Sequence, residues 1–365
     1  LDCLILLPLI LLGVERLARE GRWVMYTVTL GLCILTNYYI SIMICIFLVL
    51  YFGMLLITEY HIMTEGQNQK VKTVFGRIGR FAFASLLAGG LAAVLLIPEV
   101  CAILRTDFGN SDFPGTLNSY FSVFDMLARH CLCVTTERGL EHWPNIYCGV
   151  AVFLLVPMYA LNEKISVRNR FCNLALAGFL LLSFGTNVLD FLWHGLNYPD
   201  SLPARQSFLY IFLILVMCYD AFRNVEGTSP RQIIYGYLAA VIFLLACEKF
   251  VESEDFDTGI EVLTLVFVTI YGVLLYLYRT RKSELTRQVL GILVLACVVA
   301  ELSINTFNTS LGTTGRSAYL GDQEDYKALY ALTQEQEGDD FFRIEKFTRK
   351  TKNDGTLTGY PTASV

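Results

Sequence analysis

Ten apolar runs that carry almost no charge constrain the fold of this chain more than any other feature. They fall at about 1–13, 23–36, 40–58, 81–97, 147–161, 171–183, 207–222, 232–247, 260–278 and 288–303. The only charged residues inside them are Asp2, Asp220, Glu261 and Glu301, each within three residues of a run's end. None shows the alternation of a barrel strand, so each reads as a helix that satisfies its own backbone in lipid. Only 17% of the 365 residues are charged, against about 25% in an ordinary soluble domain. That deficit excludes a water-soluble enzyme. The expected fold class is an all-α polytopic membrane protein with about ten transmembrane helices. A net charge of −5 also argues against a nucleic-acid partner, which would call for a basic face.

The cations set the orientation. The loops at 14–22, 59–80, 162–170, 223–231 and 279–287 hold 16 Lys/Arg in 58 residues, whereas those at 37–39, 98–146, 184–206 and 248–259 hold 5 in 87. The positive-inside rule makes the first set cytoplasmic. The long loops 98–146 and 184–206 are then extracytoplasmic, as is the tail. The chain is expected to localise to the cell membrane as a multi-pass protein. Residues 1–303 read as the multi-span domain. Residues 304–365 turn polar and acidic, and Phe341–Phe347 reads as a strand ahead of an Asn353-Asp354-Gly355 turn. The tail is therefore expected to begin an outward-facing mixed α/β or β domain. The chain opens on Leu1, and it reads as a fragment with at least one span upstream.

The runs at 23–36 and 40–58 are separated only by Asn37, Tyr38 and Tyr39. They read as a tight hairpin, with two re-entrant half-helices as the alternative. Ion-coupled transporters place carboxylates, Lys or His in mid-membrane, and the four acids here lie near run ends, where interfacial solvation accounts for them. Chemistry is expected at the outer surface instead.

Loop 184–206 offers the most compact set of functional groups. Trp193 and Tyr198 suit stacking on a sugar, and His194 suits acid–base work or donation to a phosphate. Arg205, the loop's only cation, sits at a helix start that also suits a phosphate. Asp190 and Asp200 could orient His194 or hold a metal. The competing reading makes the aromatics an interfacial belt and Arg205 a headgroup anchor.

Loop 98–146 adds Glu99, Arg105, Asp107, Asp112, Asp125, Arg129, His130, Glu137, Arg138, Glu141, His142 and Trp143, too mixed a set to name a reaction. Arg129-His130 reads first as a solvated turn and second as a headgroup contact. No metal-ligand set stands out. Cys131-x-Cys133 lacks zinc spacing, and the acidic stretch 252–257 reads as a solvated loop, with a divalent cation as the less favoured reading. The cofactor is accordingly left unknown. Free thiols are expected in preference to disulfides among Cys101, Cys131, Cys133 and Cys148.

Several segments together resemble the YfhO family of bacterial membrane proteins. Leu35–Tyr51 is similar to that family's hairpin, with Tyr38-Tyr39 its specific part. Trp193-His194-Gly195, Pro199 and Leu202–Phe212 are similar to its Trp-His-Gly block, and Pro144–Gly149, Arg343-Ile344-Glu345, Asn353-Asp354 and Gly359-Tyr360 fit as well. The resemblance covers about 35–365. It implies a GT-C-type glycosyltransferase-like fold that uses a polyprenyl-phosphate sugar to glycosylate a cell-envelope polymer, such as teichoic acid, on the outer face. The implied partners are membrane lipid, the polyprenyl-phosphate donor and the polymer acceptor. Arg205 is then the expected phosphate partner, with His194 beside it, Trp193 on the sugar or lipid, and Asn37 and Tyr38 lining the same cavity. In such enzymes the catalytic carboxylate usually lies in the first outer loop, here upstream of residue 1, so Asp125 and Glu99 stand only as substitutes. The alternative function is a transporter or flippase of envelope lipids or lipid-linked sugars without catalysis. A third is a scaffold presenting the tail.

Overall fold

The computed structural model describes residues 2–66, 69–105, 112–137, 143–198, 204–253, 256–311, 315–338, 342–345, 355 and 359–361. Asp107, Arg138, Glu141, His142, Pro199, Asp200, Leu202, Pro203, Glu254, Asp255, Phe341 and 346–354 lie outside the described residues. The chain divides into a first unit, 1–309, and a second, 310–365.

The first unit contains α1 (Asp2–Glu20), α2 (Val24–Thr36), α3 (Tyr38–Thr58), α4 (Tyr60–Thr64), α5 (Lys70–Leu91), α6 (Ala93–Ile103) and α7 (Val123–Ala128). It continues with α8 (Val152–Leu161), α9 (Val167–Gly185), α10 (Asn187–Trp193), α11 (Ser207–Arg223), α12 (Pro230–Phe250), α13 (Thr258–Thr280) and α14 (Glu284–Thr309). Five of these, α3, α5, α12, α13 and α14, are long and apolar enough to cross a membrane. The ten expected spans are thus not all matched by single long helices. The run at 81–97 straddles the boundary between α5 and α6 at Ala92, and α2, α6 and α8 are apolar but only 10–13 residues long. The basic stretch 70–80, expected as loop, is the first three turns of α5. Apolar side chains such as Leu86 on α5 and Ile292 and Leu295 on α14 face outward, as suits a lipid contact.

Contacts fix the first three helices relative to one another. The α1 thiol of Cys3 reaches the Cys33 carbonyl at 3.8 Å, and a Cβ on Gly13 would meet the Tyr26 backbone at 2.7 Å. α1 and α2 are therefore antiparallel and closely crossed. Further along α1, Glu15 accepts from Tyr51 at 2.8 Å and Arg19 grips Glu59 through two bonds of 3.1 and 3.2 Å, so α1 and α3 are parallel. It follows that α2 and α3 form a hairpin, and its turn is one residue. Asn37 is extended (φ −161°, ψ 98°) and its side-chain oxygen caps α3 by accepting from the Ile40 N–H at 2.9 Å.

Glu301 departs from the reading of a solvated, interfacial acid. It is 1% exposed, two turns inside α14. Its Oε1 accepts from the Tyr147 hydroxyl (2.7 Å) and the Val150 N–H (2.6 Å), and its Oε2 from the Tyr271 hydroxyl (2.6 Å). Three donors replace the water that burial removed, which is the condition for a buried carboxylate to persist. Arg129 and His130 depart in the same way. Both are buried, with Arg129 donating to the carbonyls of Pro144 and Thr135 and to Asn145 Oδ1, and His130 Nε2 standing 3.0 Å from the Tyr210 hydroxyl. A solvated turn would need neither set of partners.

The second unit holds α15 (Arg316–Leu320) and α16 (Gln323–Glu337). Among the described residues it contains no strand, and the Ile344 N–H donates to the Pro361 carbonyl at 2.8 Å. The described residues of this unit up to 338 are mainly helical, and the strand expected at 341–347 lies partly outside the described residues. Tyr326, Leu329, Tyr330 and Thr333 recur at helical spacing, and Glu324 and Asp325 sit in the first turn, where the helix dipole favours acids.

Candidate functional site

The short helix α10 is built as a mount. Asn187 at its start is held by a strip from the α6–α7 loop: its Nδ2 donates to the Thr116 carbonyl (2.8 Å) and its Oδ1 accepts from the Asn118 N–H (2.9 Å). Tyr120 N–H donates to the Gly185 carbonyl (2.9 Å), and Ser119 and Thr186 form an isolated antiparallel bridge. The C-terminus of α10 explains the Trp-His-Gly order. Gly195 is left-handed (φ 73°), its N–H donates to the Leu192 carbonyl, and the Leu196 N–H donates to the Phe191 carbonyl at 2.9 Å. This is the paired bond pattern of a Schellman ending, which favours glycine at that position. Leu196 (φ 65°) and Ala204 (φ 51°) are also left-handed, a conformation disfavoured for residues with a Cβ.

On this mount Asp190 and His194 are one helical turn apart and both buried. His194 Nδ1 lies 2.8 Å from the Asp190 carbonyl and 3.0 Å from its Oδ1. Both neighbours are acceptors, so Nδ1 carries the proton and, in the neutral ring, the lone pair is at Nε2. Nε2 is buried and, among the described residues, has no hydrogen-bond partner. The other carboxylate oxygen, Asp190 Oδ2, accepts from the Tyr120 hydroxyl at 3.1 Å. Burial first, and the Asp190 charge second, push the Tyr120 phenol well above its ordinary value. Tyr120 therefore remains a donor and holds the carboxylate that holds the imidazole.

Beside His194 sits Tyr39, ring centre to ring centre 6.4 Å, and the Arg205 guanidinium carbon lies 5.0 Å from the Tyr39 centroid. Tyr39 and Arg205 are partly exposed. Gln206, next in sequence and fully buried, also leaves both side-chain polar atoms without partners.

The structure thus places both His194 and Arg205 beside Tyr39, with Asp190 bonded to the imidazole and Tyr120 bonded to Asp190. Tyr120, distant in sequence, carries no local signal that would single it out. Asn37 and Tyr38 lead directly into Tyr39 at the start of α3: Asn37 is exposed and acts as the cap, while Tyr38 is hydrogen-bonded to Glu99. Trp193, expected to face a sugar or lipid, is 2% exposed and packed in the core, on the buried side of α10 with Asn187, Asp190 and Phe191. Asp125, expected as a substitute base, is also buried at 2%. Its Oδ2 accepts from Ser122 Oγ at 2.6 Å and its Oδ1 from the Glu252 N–H at 2.8 Å. That carboxylate joins two loops and has no oxygen left over.

Among the described residues no group of three His, Cys, Asp or Glu side chains is placed to hold a metal ion. Asp190 is engaged with His194 and Tyr120, and Asp257 of the acidic stretch caps α13 by accepting from the Ile260 N–H at 2.8 Å. All eleven cysteines are free thiols.

The family model described as "Bacterial membrane protein YfhO" matches residues 1–365. The chain belongs to the YfhO family. No curated protein and no solved structure gives a significant match. Membership accords with the apolar helices of the first unit, and the Trp-His-Gly block and Tyr38-Tyr39 pair of this YfhO-family chain converge on one locus.

Proposed function

We propose that this YfhO-family chain is the core of a GT-C-type glycosyltransferase that takes its sugar from a polyprenyl phosphate. The acceptor is a hydroxyl of a cell-envelope polymer such as teichoic acid, on the outer face of the membrane. The single observation that carries the reading is His194. It is a buried imidazole whose proton is fixed on Nδ1 by Asp190 and whose Nε2 lone pair is left unpartnered, next to an arginine stacked on Tyr39.

The chemistry follows from those positions. The acceptor O–H gives its proton to His194 Nε2 as its oxygen attacks the anomeric carbon. The bond from that carbon to the phosphate oxygen breaks, and Arg205 takes up the charge on the departing lipid phosphate through its planar fork. Asp190 stabilises the imidazolium that forms, and Tyr120 keeps Asp190 aligned. His194 is buried in the resting structure, so the scheme requires Nε2 to be uncovered as the donor and acceptor bind. Loops 98–146 and 184–206 lie outside in this scheme, and the shorter apolar helices combine with their neighbours to complete about ten crossings.

The test is transfer by the purified full-length protein in vesicles loaded with a labelled polyprenyl-phosphate sugar and a polyol-phosphate acceptor. Label is expected to appear in the acceptor. Movement of the lipid-linked sugar between leaflets without any transfer would overturn the reading in favour of a flippase.

A further inference from the structure

A second locus, at the opposite end of α1 from the Cys3–Cys33 contact, has the makings of an anion site. Gly21 ends α1 in a left-handed conformation (φ 78°), its N–H donating to the Leu17 carbonyl at 2.9 Å. The guanidinium tips of Arg77 and Arg80, one turn apart on α5, both enter the space that a Cβ on Gly21 would fill. Two cations aimed at one point repel each other unless an anion lies between them.

The nearby carboxylates do not serve as that anion. Glu15 and Glu59 are taken by Arg19, and Glu20 pairs with Arg22 at 3.1 Å. Among the described residues neither Arg77 nor Arg80 forms an ion pair. Arg77 donates once, from Nη2 to the Arg19 carbonyl at 3.3 Å, which caps the end of α1. Its Nε and Nη1 are buried without partners. Buried, unmet donors on a charged group are unfavourable, and an oxyanion would satisfy them.

The setting selects the anion. Trp23, two residues beyond Gly21, packs edge-on against the exposed Phe83, one turn along α5 from Arg80 (centroids 5.7 Å apart). Tryptophan beside an outward-facing aromatic marks the depth of lipid headgroups. From this convergence we infer that Arg77 and Arg80, around Gly21, bind the phosphate of an anionic membrane lipid. The bond pattern is the one guanidinium favours, two forks on one phosphate group, with the acyl chains lying along α5. This inference is independent of the His194 site.

Native mass spectrometry of the delipidated full-length protein, titrated with phosphatidylglycerol, tests it, with inorganic phosphate as a parallel arm. Wild type is expected to retain one phosphatidylglycerol that Arg77→Met/Arg80→Met binds at least tenfold more weakly, whereas Arg16→Met on the same end of α1 leaves it unchanged. Arg80→Met alone removes an exposed side chain without touching the α1 cap, so it weakens binding in a protein that still folds. Inorganic phosphate that raises thermal stability, lost in the double variant, with no retained lipid would keep the phosphate site but overturn the lipid as its source. Equal lipid retention by wild type and both Arg80 variants would overturn the site itself.

Discussion

The guanidinium carbon of Arg205 lies 5.0 Å from the centre of the Tyr39 ring, and that ring lies 6.4 Å from the imidazole of His194. One residue in the first turn of α3 thereby neighbours both a cation and a base at the end of a different helix. Removing the aromatic face releases the arginine. Tyr39→Leu is expected to weaken binding of a polyprenyl phosphate by about 2- to 30-fold, the range of a cation–π contact. Arg205→Lys loses as much, because an ammonium lacks the planar fork. Equilibrium binding of a fluorescent polyprenyl phosphate to each variant checks both.

Glu301 is predicted to matter for stability. Glu301→Ala leaves two tyrosine hydroxyls and the Val150 N–H without an acceptor, at about 1–3 kcal/mol for each group that finds no other partner. Thermal unfolding in detergent should show a large loss for Glu301→Ala. Glu301→Gln, which keeps an acceptor oxygen, should lose less.

The strip from Thr116 to Phe121 is held on α10 by Asn187, so Asn187→Ala is expected to free it. Hydrogen exchange at the Asn118 amide should rise by about fivefold, corresponding to one lost hydrogen bond of about 1 kcal/mol. The amides of α13 serve as the unchanged reference.

Stability should also fall with acid through His130. Burial pushes its imidazole down to about 4 from an ordinary 6.5. The unfolded chain therefore binds a proton at this position between pH 6.5 and 4 that the folded chain refuses. Stability is full above 6.5 and is lost as pH falls through that window, by about 3 kcal/mol in all. The difference between wild type and His130→Gln, measured by chemical denaturation across pH 4–7, isolates this contribution from the carboxylates.

The sequence made some of this legible and hid the rest for physical reasons. Charge deficit and run length mark the membrane helices, because lipid forbids exposed backbone and isolated charge. Trp193-His194-Gly195 was visible as a block, and Asp190 stands one helical turn from His194, a spacing that a linear reading can find. Tyr120 was not, since it meets Asp190 only through a loop 70 residues away. Burial was the harder quantity. Glu301, Arg129 and Asp125 look solvent-facing as residue types, and only the fold supplies the partners that allow them inside. Trp193 erred the other way, because its aromatic character suits a sugar face and a packed core equally well.

The account rests on His194 Nε2 as the proton acceptor, and single-turnover sugar transfer by His194→Gln tests it most directly. The rate from a labelled polyprenyl-phosphate sugar to a polyol-phosphate acceptor is compared with wild type at matched donor occupancy. Loss of a positioned general base predicts a fall of about 10²–10⁴-fold with donor affinity retained. An unchanged transfer rate in His194→Gln would contradict the account.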